Sequence, residues 1–211
     1  MKKFILFVSF ILCSIPSFPQ HTSQQDIDKK VEKFFQVHGG WYDMNVPASD
    51  GKLLYNLILE NNYQQALEIG TSTGHSTIWM AWALSKTGGK LITIEINETR
   101  HLEALKNFKE AGVDHLIDAR LANAHKVVPE LKGPFDFVFS DADKGWYQNY
   151  FESVDPKLRL GGCYTTHNVS DRAGVRWNRD YLQFLRSLNH FETTVDNSGG
   201  GMAISYKRAK K

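Results

Sequence analysis

The fold is decided by the stretch Ala66-Leu-Glu-Ile-Gly-Thr-Ser-Thr-Gly-His-Ser76, in which a short apolar run leads into two glycines and then into a helical pattern. Gly70 and Gly74 allow a sharp turn and a close approach of the backbone to a ligand at the start of the helix. The spacing is G-x-x-x-G, which differs from the G-x-G-x-x-G spacing typical of dinucleotide sites. A tight strand-to-helix turn that binds nothing is the alternative interpretation.

On both sides of this loop, short apolar runs alternate with helical stretches. The predicted strands of this region are Ala66–Ile69, Leu91–Glu95, Leu116–Leu121 and Phe135–Ser140. The predicted helices between them are His75–Ser85, Asn97–Ala111 and Ala124–Leu131. Such alternation indicates βαβ units, and therefore a parallel sheet with helices on both faces.

The last part of the chain predicts a different connection. A fifth strand, Cys163–His167, precedes a helix near Arg176–Leu188. Two closing strands, Glu192–Asp196 and Met202–Lys207, flank three consecutive glycines, and strands joined by so short a turn must be antiparallel. The predicted fold class is therefore α/β, with a mostly parallel seven-stranded sheet that ends in an antiparallel C-terminal hairpin.

Composition and the N-terminal sequence limit the possible domain organisation. The chain has 211 residues, of which 42% are hydrophobic and 23% charged, as in one ordinary globular domain. In residues 1–20, Lys2 and Lys3 precede an apolar stretch and then small, turn-forming residues, a pattern typical of a secretory signal. We predict a targeting segment at 1–20, a single domain at 21–211 and an exported protein. The alternatives are an uncleaved membrane anchor and a cytoplasmic protein whose N-terminus is no signal.

Net charge argues against nucleic acid as a partner. Lys2 and Lys3 account for the excess of 25 basic over 23 acidic residues. The predicted domain is thus formally neutral, whereas nucleic-acid-binding domains carry a basic surface.

A second signal lies at the end of the next predicted strand. Glu95 follows the glycines by about 20 residues, where a carboxylate can accept hydrogen bonds from both hydroxyls of a ribose. Capping of the helix near Asn97 is the alternative. Glu68, close to Gly70, would repel the pyrophosphate of a dinucleotide but suits the cationic groups of S-adenosylmethionine. The loop and the acid together favour that cofactor, and a nicotinamide-dependent dehydrogenase is the rival.

The motifs resemble those of the metal-dependent O-methyltransferases of the catechol and caffeoyl-coenzyme A type. Four segments carry the resemblance, which covers about residues 34–206: the glycine loop, Met44-Asn-Val46, Ile94-Glu95 and Phe135-Asp-Phe-Val-Phe-Ser-Asp-Ala-Asp-Lys144. It implies a Rossmann-like class I methyltransferase fold and methyl transfer to a hydroxyl of a small aromatic diol. It also implies a set of cofactor contacts: Val46, Glu68, Gly70, Ser76 and Glu95, with Asn123 at the adenine.

The same resemblance implies a divalent metal at Asp141 and Asn168. The family usually has Asp-Asn at the second pair, whereas this chain has His167-Asn168. An all-oxygen set suits Mg²⁺, and an imidazole shifts the preference toward transition metals such as Zn²⁺, Mn²⁺ or Fe²⁺. We predict a metal bound by Asp141, His167 and Asn168. The alternative is a metal-independent methyltransferase in which His167 acts as the base.

Lys144 is the predicted catalytic residue, a general base for the proton of the substrate hydroxyl. The alternative interpretation is a solvated lysine at a helix start.

The apolar stripe of a predicted helix at Gln24–Val37 is expected to pack on the domain or on a second subunit, so a homodimer is one of two predicted packings. A non-enzymatic exported binding protein on a methyltransferase fold is a further rival, for which His167 is the only hint.

Overall fold

The computed structural model describes residues 23–38, 44–172 and 174–209. Within these ranges the strands are β1 (Gln65–Ile69), β2 (Lys90–Glu95), β3 (Ile117–Leu121), β4 (Phe135–Ser140), β5 (Leu158–His167), β6 (Phe191–Asp196) and β7 (Met202–Lys207). The α-helices are α1 (Gln24–Val37), α2 (Ala48–Glu60), α3 (His75–Thr87), α4 (Glu98–Ala111), α5 (Ala124–Glu130), α6 (Tyr147–Val154) and α7 (Arg176–Ser187).

The strands form one sheet in the order β3-β2-β1-β4-β5-β7-β6. Strands β1 to β5 pair in parallel, and β7 is antiparallel to both of its neighbours. The predicted Rossmann-like sheet with its antiparallel hairpin is thus confirmed. The chain winds outward in opposite directions from β1 and β4, and ligands of such sheets bind where the direction switches, at the carboxyl ends of the strands.

Alternating side chains divide the core into two layers. Phe137 and Phe139 of β4 pack in a cluster with α2 and α3, whereas Val138 packs with α5, α6 and α7 on the other face. A further cluster joins α1, α3 and α4 through residues such as Phe34 and Phe108. Because each face of the sheet is covered, the residues that remain accessible to a ligand lie at the strand ends.

Two elements differ from the sequence predictions. Strand β5 begins at Leu158 and not at the predicted Cys163, because the chain stays extended through Gly161 and Gly162 and pairs with β4 across a register shift. Helix α6 was predicted only as a helix start near Lys144, without an end, although its buried residues recur at helical spacing: Tyr147, Tyr150, Phe151 and Val154. Its eight residues follow a short 3₁₀ turn at Lys144–Trp146, so the pattern is brief and starts without a break from the preceding motif.

The predicted targeting segment, residues 1–20, lies outside the described residues, so this segment and the domain start at residue 21 stay predictions. In the ranges that the structure covers, no helix is both long and apolar enough to cross a membrane.

Candidate active site

A cavity of about 520 Å³ opens at the carboxyl edge of the sheet, on both sides of the switch between β1 and β4. This volume lies in the range of cofactor and small-molecule sites, roughly 300–1,000 Å³. Nine of the ten residues predicted for the site line it: Val46, Gly70, Ser76, Glu95, Asn123, Asp141, Lys144, His167 and Asn168. The tenth, Glu68, lies behind the cavity wall.

The glycine loop has the tight backbone that its sequence predicts. Gly70 has φ +101°, and a Cβ atom there would lie 2.3 Å from the carbonyl oxygen of Asp141. Gly74 has φ +93° and caps the N-terminus of α3, where a Cβ atom would meet the ring of Phe108. Only glycine tolerates both demands, because an L-residue rarely adopts this φ and has no space here. The loop therefore brings the end of β1 into backbone contact with the end of β4.

Glu95 ends β2 with its carboxylate held in a fixed orientation. One oxygen accepts a 2.7 Å hydrogen bond from the Ser72 backbone N–H, and the other accepts a 2.8 Å bond from the Asn97 N–H. The side chain of Asn97 caps α4 by accepting from Arg100 N–H, so the helix does not depend on Glu95 for its cap. Glu95 is nearly buried yet lines the cavity, as a ribose-binding carboxylate would.

Glu68 lies fully buried beneath the loop. Its carboxylate accepts hydrogen bonds from three hydroxyl groups, those of Ser76, Thr77 and Thr93. Burial raises the pKa of Glu68 to about 7, although these hydrogen bonds act to lower it. In this arrangement Glu68 fixes Ser76 and the loop from behind, so its predicted direct contact with the cofactor stays a prediction.

The remaining predicted cofactor contacts come from two loops. Val46 is buried in the wall, and its neighbour Asn45 donates a 2.9 Å hydrogen bond to the Thr73 hydroxyl, which ties this segment to the glycine loop. Asn123 caps α5: its side-chain oxygen accepts from the His125 backbone N–H at 2.9 Å. That bond fixes the Asn123 amide at the cavity wall.

His167 lies between two carboxylates. Its Nδ1 is 2.9 Å from Asp141 Oδ2, and its Nε2 is 2.8 Å from Asp50 Oδ2. Asp141 follows β4, His167 ends β5 and Asp50 belongs to the first turn of α2. The side chain of His167 is 5% exposed and that of Asp50 is 1% exposed, so this is a buried array of charge.

The two carboxylates determine the charge of the ring. Burial alone would lower the pKa of His167, but the hydrogen bonds and charges of Asp141 and Asp50 raise it to about 9. Burial would likewise raise the pKa of Asp50, but the hydrogen bonds from His167 and from Gly200 N–H hold it below its ordinary value. With both ring nitrogens engaged, His167 can take a proton from a substrate only after one of these bonds breaks, which disfavours the alternative role as a general base.

Lys144 lies among the predicted metal ligands. Its Nζ donates a 2.6 Å hydrogen bond to Asn168 Oδ1 and lies 3.9 Å from Asp141 Oδ1. Asn168 has φ +58°, in the left-handed region that asparagine adopts more readily than other non-glycine residues. Asn178 supports it by donating a 2.9 Å hydrogen bond to the Asn168 carbonyl.

The predicted ligands of a divalent cation include a single carboxylate, that of Asp141. Among the described residues, no group of three or more His, Cys, Asp or Glu side chains is arranged to hold a metal. The predicted set contains an amide instead: Asp141, His167 and Asn168. Two of its oxygens already face one cation, the Lys144 ammonium, and His167 Nδ1 shares the same aspartate. One carboxylate, one imidazole and one amide fit a divalent transition metal, provided that Nδ1 gives up its proton.

The sequence profile of the O-methyltransferase family matches residues 20–190 of the chain. The chain belongs to this family. The catechol O-methyltransferase of Niastella koreensis is 40% identical over 137 residues, covering 63% of this chain and 62% of the relative. The caffeoyl-CoA O-methyltransferase of Medicago sativa is 35% identical over 164 residues, covering 71% and 66%. The matched part of this chain thus spans less than two thirds of either relative.

Solved structures share the fold of this chain. An O-methyltransferase from Bacillus cereus in complex with SAH has a TM-score of 0.72 at 25% identity, covering 86% of this chain and 91% of that one. TomG from Streptomyces achromogenes in complex with SAM has a TM-score of 0.71 at 28% identity, covering 87% and 89%.

Three residues of the site were not predicted as site residues from the sequence. Asp50 has no motif of its own and lies 117 residues from His167 in the chain. The Tyr147 hydroxyl lies 3.2 Å from the His167 carbonyl oxygen and 3.4 Å from Asp141 Oδ1, beneath the predicted metal ligands. His125, in the cavity wall, stacks on Trp146 with ring centroids 3.8 Å apart. Of the three, only Tyr147 has a sequence signal, the helical spacing of α6.

Proposed function

We propose that this O-methyltransferase moves the methyl group of S-adenosylmethionine to one hydroxyl of a small aromatic diol of the catechol type. One observation carries the proposal: Glu95 from β2 and the group Asp141, Lys144 and Asn168 from the other side of the switch line a single cavity. A donor site and an acceptor site are therefore adjacent. Relatives named for catechol and caffeoyl-CoA methylation, and fold neighbours solved with SAH and SAM, support the same reaction.

The donor would bind along the β1 and β2 side of the cavity. Glu95 would accept hydrogen bonds from the ribose hydroxyls, and Asn123, in the cavity wall, would contact the adenine ring. Val46, Gly70 and Ser76 would enclose the methionine part, and Gly70 allows the backbone to come close. A charged sulfonium gains from nearby carboxylates, which a pyrophosphate would not.

The acceptor would bind near Asp141, His167 and Asn168, the residues that would hold a divalent cation. When bound, such a cation supplies Lewis acidity, which lowers the pKa of a diol hydroxyl, and a template that orients two vicinal oxygens. Lys144, 41% exposed at its side chain, remains open to the cavity beside these residues.

The chemical step is a direct displacement. The substrate oxygen attacks the sulfonium methyl carbon, a C–O bond forms as the C–S bond breaks, and S-adenosylhomocysteine leaves. Lys144, after its ammonium group has released a proton to solvent, accepts the hydroxyl proton at Nζ. The positive sulfonium and the negative aryloxide neutralise each other, so the contribution of this chain is largely alignment of donor and acceptor.

Incubation with methyl-labelled S-adenosylmethionine and a panel of diols tests the proposal. We expect a labelled monomethyl ether from catechol and none from resorcinol, whose hydroxyls are not vicinal. Chelation should abolish the activity, and Mg²⁺, Mn²⁺ or Zn²⁺ should restore it. Full activity in chelator would reject metal assistance but leave the transferase. Tight cofactor binding without methylation of any diol would favour the non-enzymatic binding protein.

We further propose export of the protein, on the evidence of the N-terminal sequence pattern alone. Mass spectrometry of the N-terminus of the native protein tests this, because cleavage of a signal removes about the first 20 residues. Detection of the intact N-terminus in the cytoplasm would contradict it. The homodimer also stays a prediction, for which sedimentation of the purified protein is the measurement.

A further inference from the structure

Asp50 is a buried carboxylate that contacts the His167 ring at the edge of the active site. Its Oδ2 lies 2.8 Å from His167 Nε2 and accepts a 2.8 Å hydrogen bond from the Gly200 backbone N–H. Asp50 itself does not line the cavity, whereas His167 does. It therefore contacts the far side of the imidazole ring, away from any ligand.

The triple-glycine turn between β6 and β7 is shaped around this pair. A Cβ atom at Gly199 would overlap the Asp50 carboxylate, and one at Gly200 would lie 2.7 Å from His167 Nε2. Any side chain here would push the ring or the carboxylate out of place. The backbone of the turn, the first turn of α2 and the end of β5 thus meet at one hydrogen-bonded point.

The ring has only one orientation that satisfies both of its neighbours. With Nε2 on Asp50, Nδ1 faces Asp141, which lines the cavity. A histidine that ligates a metal through one nitrogen typically gives the N–H of the other to a carboxylate or carbonyl, which fixes the tautomer and the ring. Asp50 has the position and the charge for that task.

We propose that Asp50 is a positioning residue that holds the His167 ring through Nε2, so that Nδ1 serves as the nitrogen ligand of a divalent transition metal beside Asp141. This inference deepens the metal-assisted reaction proposed above and rests on it. It assigns Asp50 no contact with substrate or cofactor. Its proposed effect on the metal passes through the His167 ring.

Metal binding measured without any turnover tests the assignment. Equilibrium dialysis with Zn²⁺ alone gives the affinity of the full chain and of Asp50→Asn, a substitution that keeps the shape of the side chain. We expect about a 10- to 100-fold weaker affinity, the usual effect of losing such a partner. S-adenosylmethionine affinity, measured separately, should not change.

The matched control is Asp136→Asn. Asp136 is also a nearly buried aspartate, but it accepts from the backbone N–H groups of Gln64 and Gln65 at the opposite end of β4. Its substitution should lower stability and leave Zn²⁺ affinity intact. A loss of affinity in both variants would indicate general damage to the fold and overturn the assignment.

A double-mutant cycle shows whether Asp50 acts through the ring. In a His167→Asp background, residue 50 would face a carboxylate instead of a ring nitrogen, so adding Asp50→Asn should cause no further loss of Zn²⁺ affinity. An equal loss in both backgrounds would overturn the assignment, because the coupling energy would then be zero.

Nitrogen-15 NMR of histidine-labelled protein identifies the ligating atom. On addition of Zn²⁺, the Nδ1 resonance of His167 should shift to a metal-bound value while Nε2 keeps its proton. Ligation through Nε2, or no Zn²⁺ binding that depends on His167, would overturn the assignment. Asp50-dependent Zn²⁺ binding by a protein that methylates no diol would support it and would instead reject the proposed reaction.

Discussion

Gly70 and Asp141 meet through their backbones at the switch point of the sheet. A Cβ atom on Gly70 would lie 2.3 Å from the Asp141 carbonyl oxygen, and the Asp141 N–H donates a 2.8 Å hydrogen bond to the Ile69 carbonyl. The predicted donor site and the predicted metal site are therefore joined by a contact that leaves no room for a side chain. A substitution on one side of this contact should therefore also alter ligand binding on the other side.

Gly70→Ala should destabilise the fold and weaken cofactor binding together. The added methyl group overlaps backbone atoms, and φ of +101° is strained for any L-residue, so we expect a loss of about 2–4 kcal/mol in the free energy of unfolding. Gly88→Ala is the control, because Gly88 also has a positive φ but nothing within 4 Å of its Cβ position. It should cost about 1 kcal/mol. Equal losses in denaturant unfolding would refute the close contact.

Lys144→Met should lower turnover far more than it lowers cofactor binding. Loss of a positioned general base typically costs about 10²–10⁴ in rate. Affinity for S-adenosylmethionine, measured by calorimetry, should stay near that of the parent, because Lys144 contacts Asn168 and Asp141 on the acceptor side. Lys132→Met, at an exposed lysine outside the cavity wall, provides the control. Unchanged turnover in Lys144→Met would remove the assigned role.

Glu95→Gln should weaken cofactor binding. A hydrogen bond to a charged group is worth about 1.5–3 kcal/mol, so we expect S-adenosylmethionine to bind roughly 10- to 100-fold more weakly. The amide keeps one oxygen for the backbone N–H of Ser72 or Asn97, which limits the structural damage. Glu103→Gln, on the exposed face of α4, is the control for charge alone. Equal affinities in the two variants would argue against a ribose contact.

The order of the helices and strands could be predicted because the periodicity of hydrophobic residues and the positions of glycines are local properties of the sequence. The strands β1, β2 and β4 and the loop at Gly70 follow from residues that are adjacent in the chain. The antiparallel hairpin follows from the short turn between β6 and β7, since no crossover fits within it. Carboxyl ends of parallel strands meet at one edge, so Glu95, Asp141 and His167 were expected to lie together, and the cavity contains all three.

What the sequence did not predict depends on contacts between distant segments. Asp50 is buried only because the Gly199–Gly201 turn and the end of β5 come to the first turn of α2, and no local pattern encodes that meeting. The hydrogen bonds that Glu68 accepts from three hydroxyl groups were not predicted either, because those groups lie on α3 and β2, away from Glu68 in the chain. The predicted contact of Glu68 with the cofactor stays a prediction.

The buried His75 should make the free energy of unfolding depend on pH between about 6.5 and 4. It is the first residue of α3 and is buried, and burial lowers its pKa to about 4, although a hydrogen bond with the Val46 backbone acts to raise it. Between its ordinary value of 6.5 and about 4, the unfolded chain binds a proton at this residue and the folded chain does not. Stability must therefore fall as the pH is lowered through this window.

The expected loss from His75 is up to about 3 kcal/mol, from 1.36 kcal/mol per pH unit. His75→Gln keeps an amide that can donate at the distal position but cannot titrate. Its free energy of unfolding, measured by urea at pH 7 and pH 4.5, should fall less than that of the parent protein. His115→Gln, at an exposed histidine, should follow the parent. If His75→Gln lost as much stability as the parent on acidification, the buried neutral histidine would not be the cause.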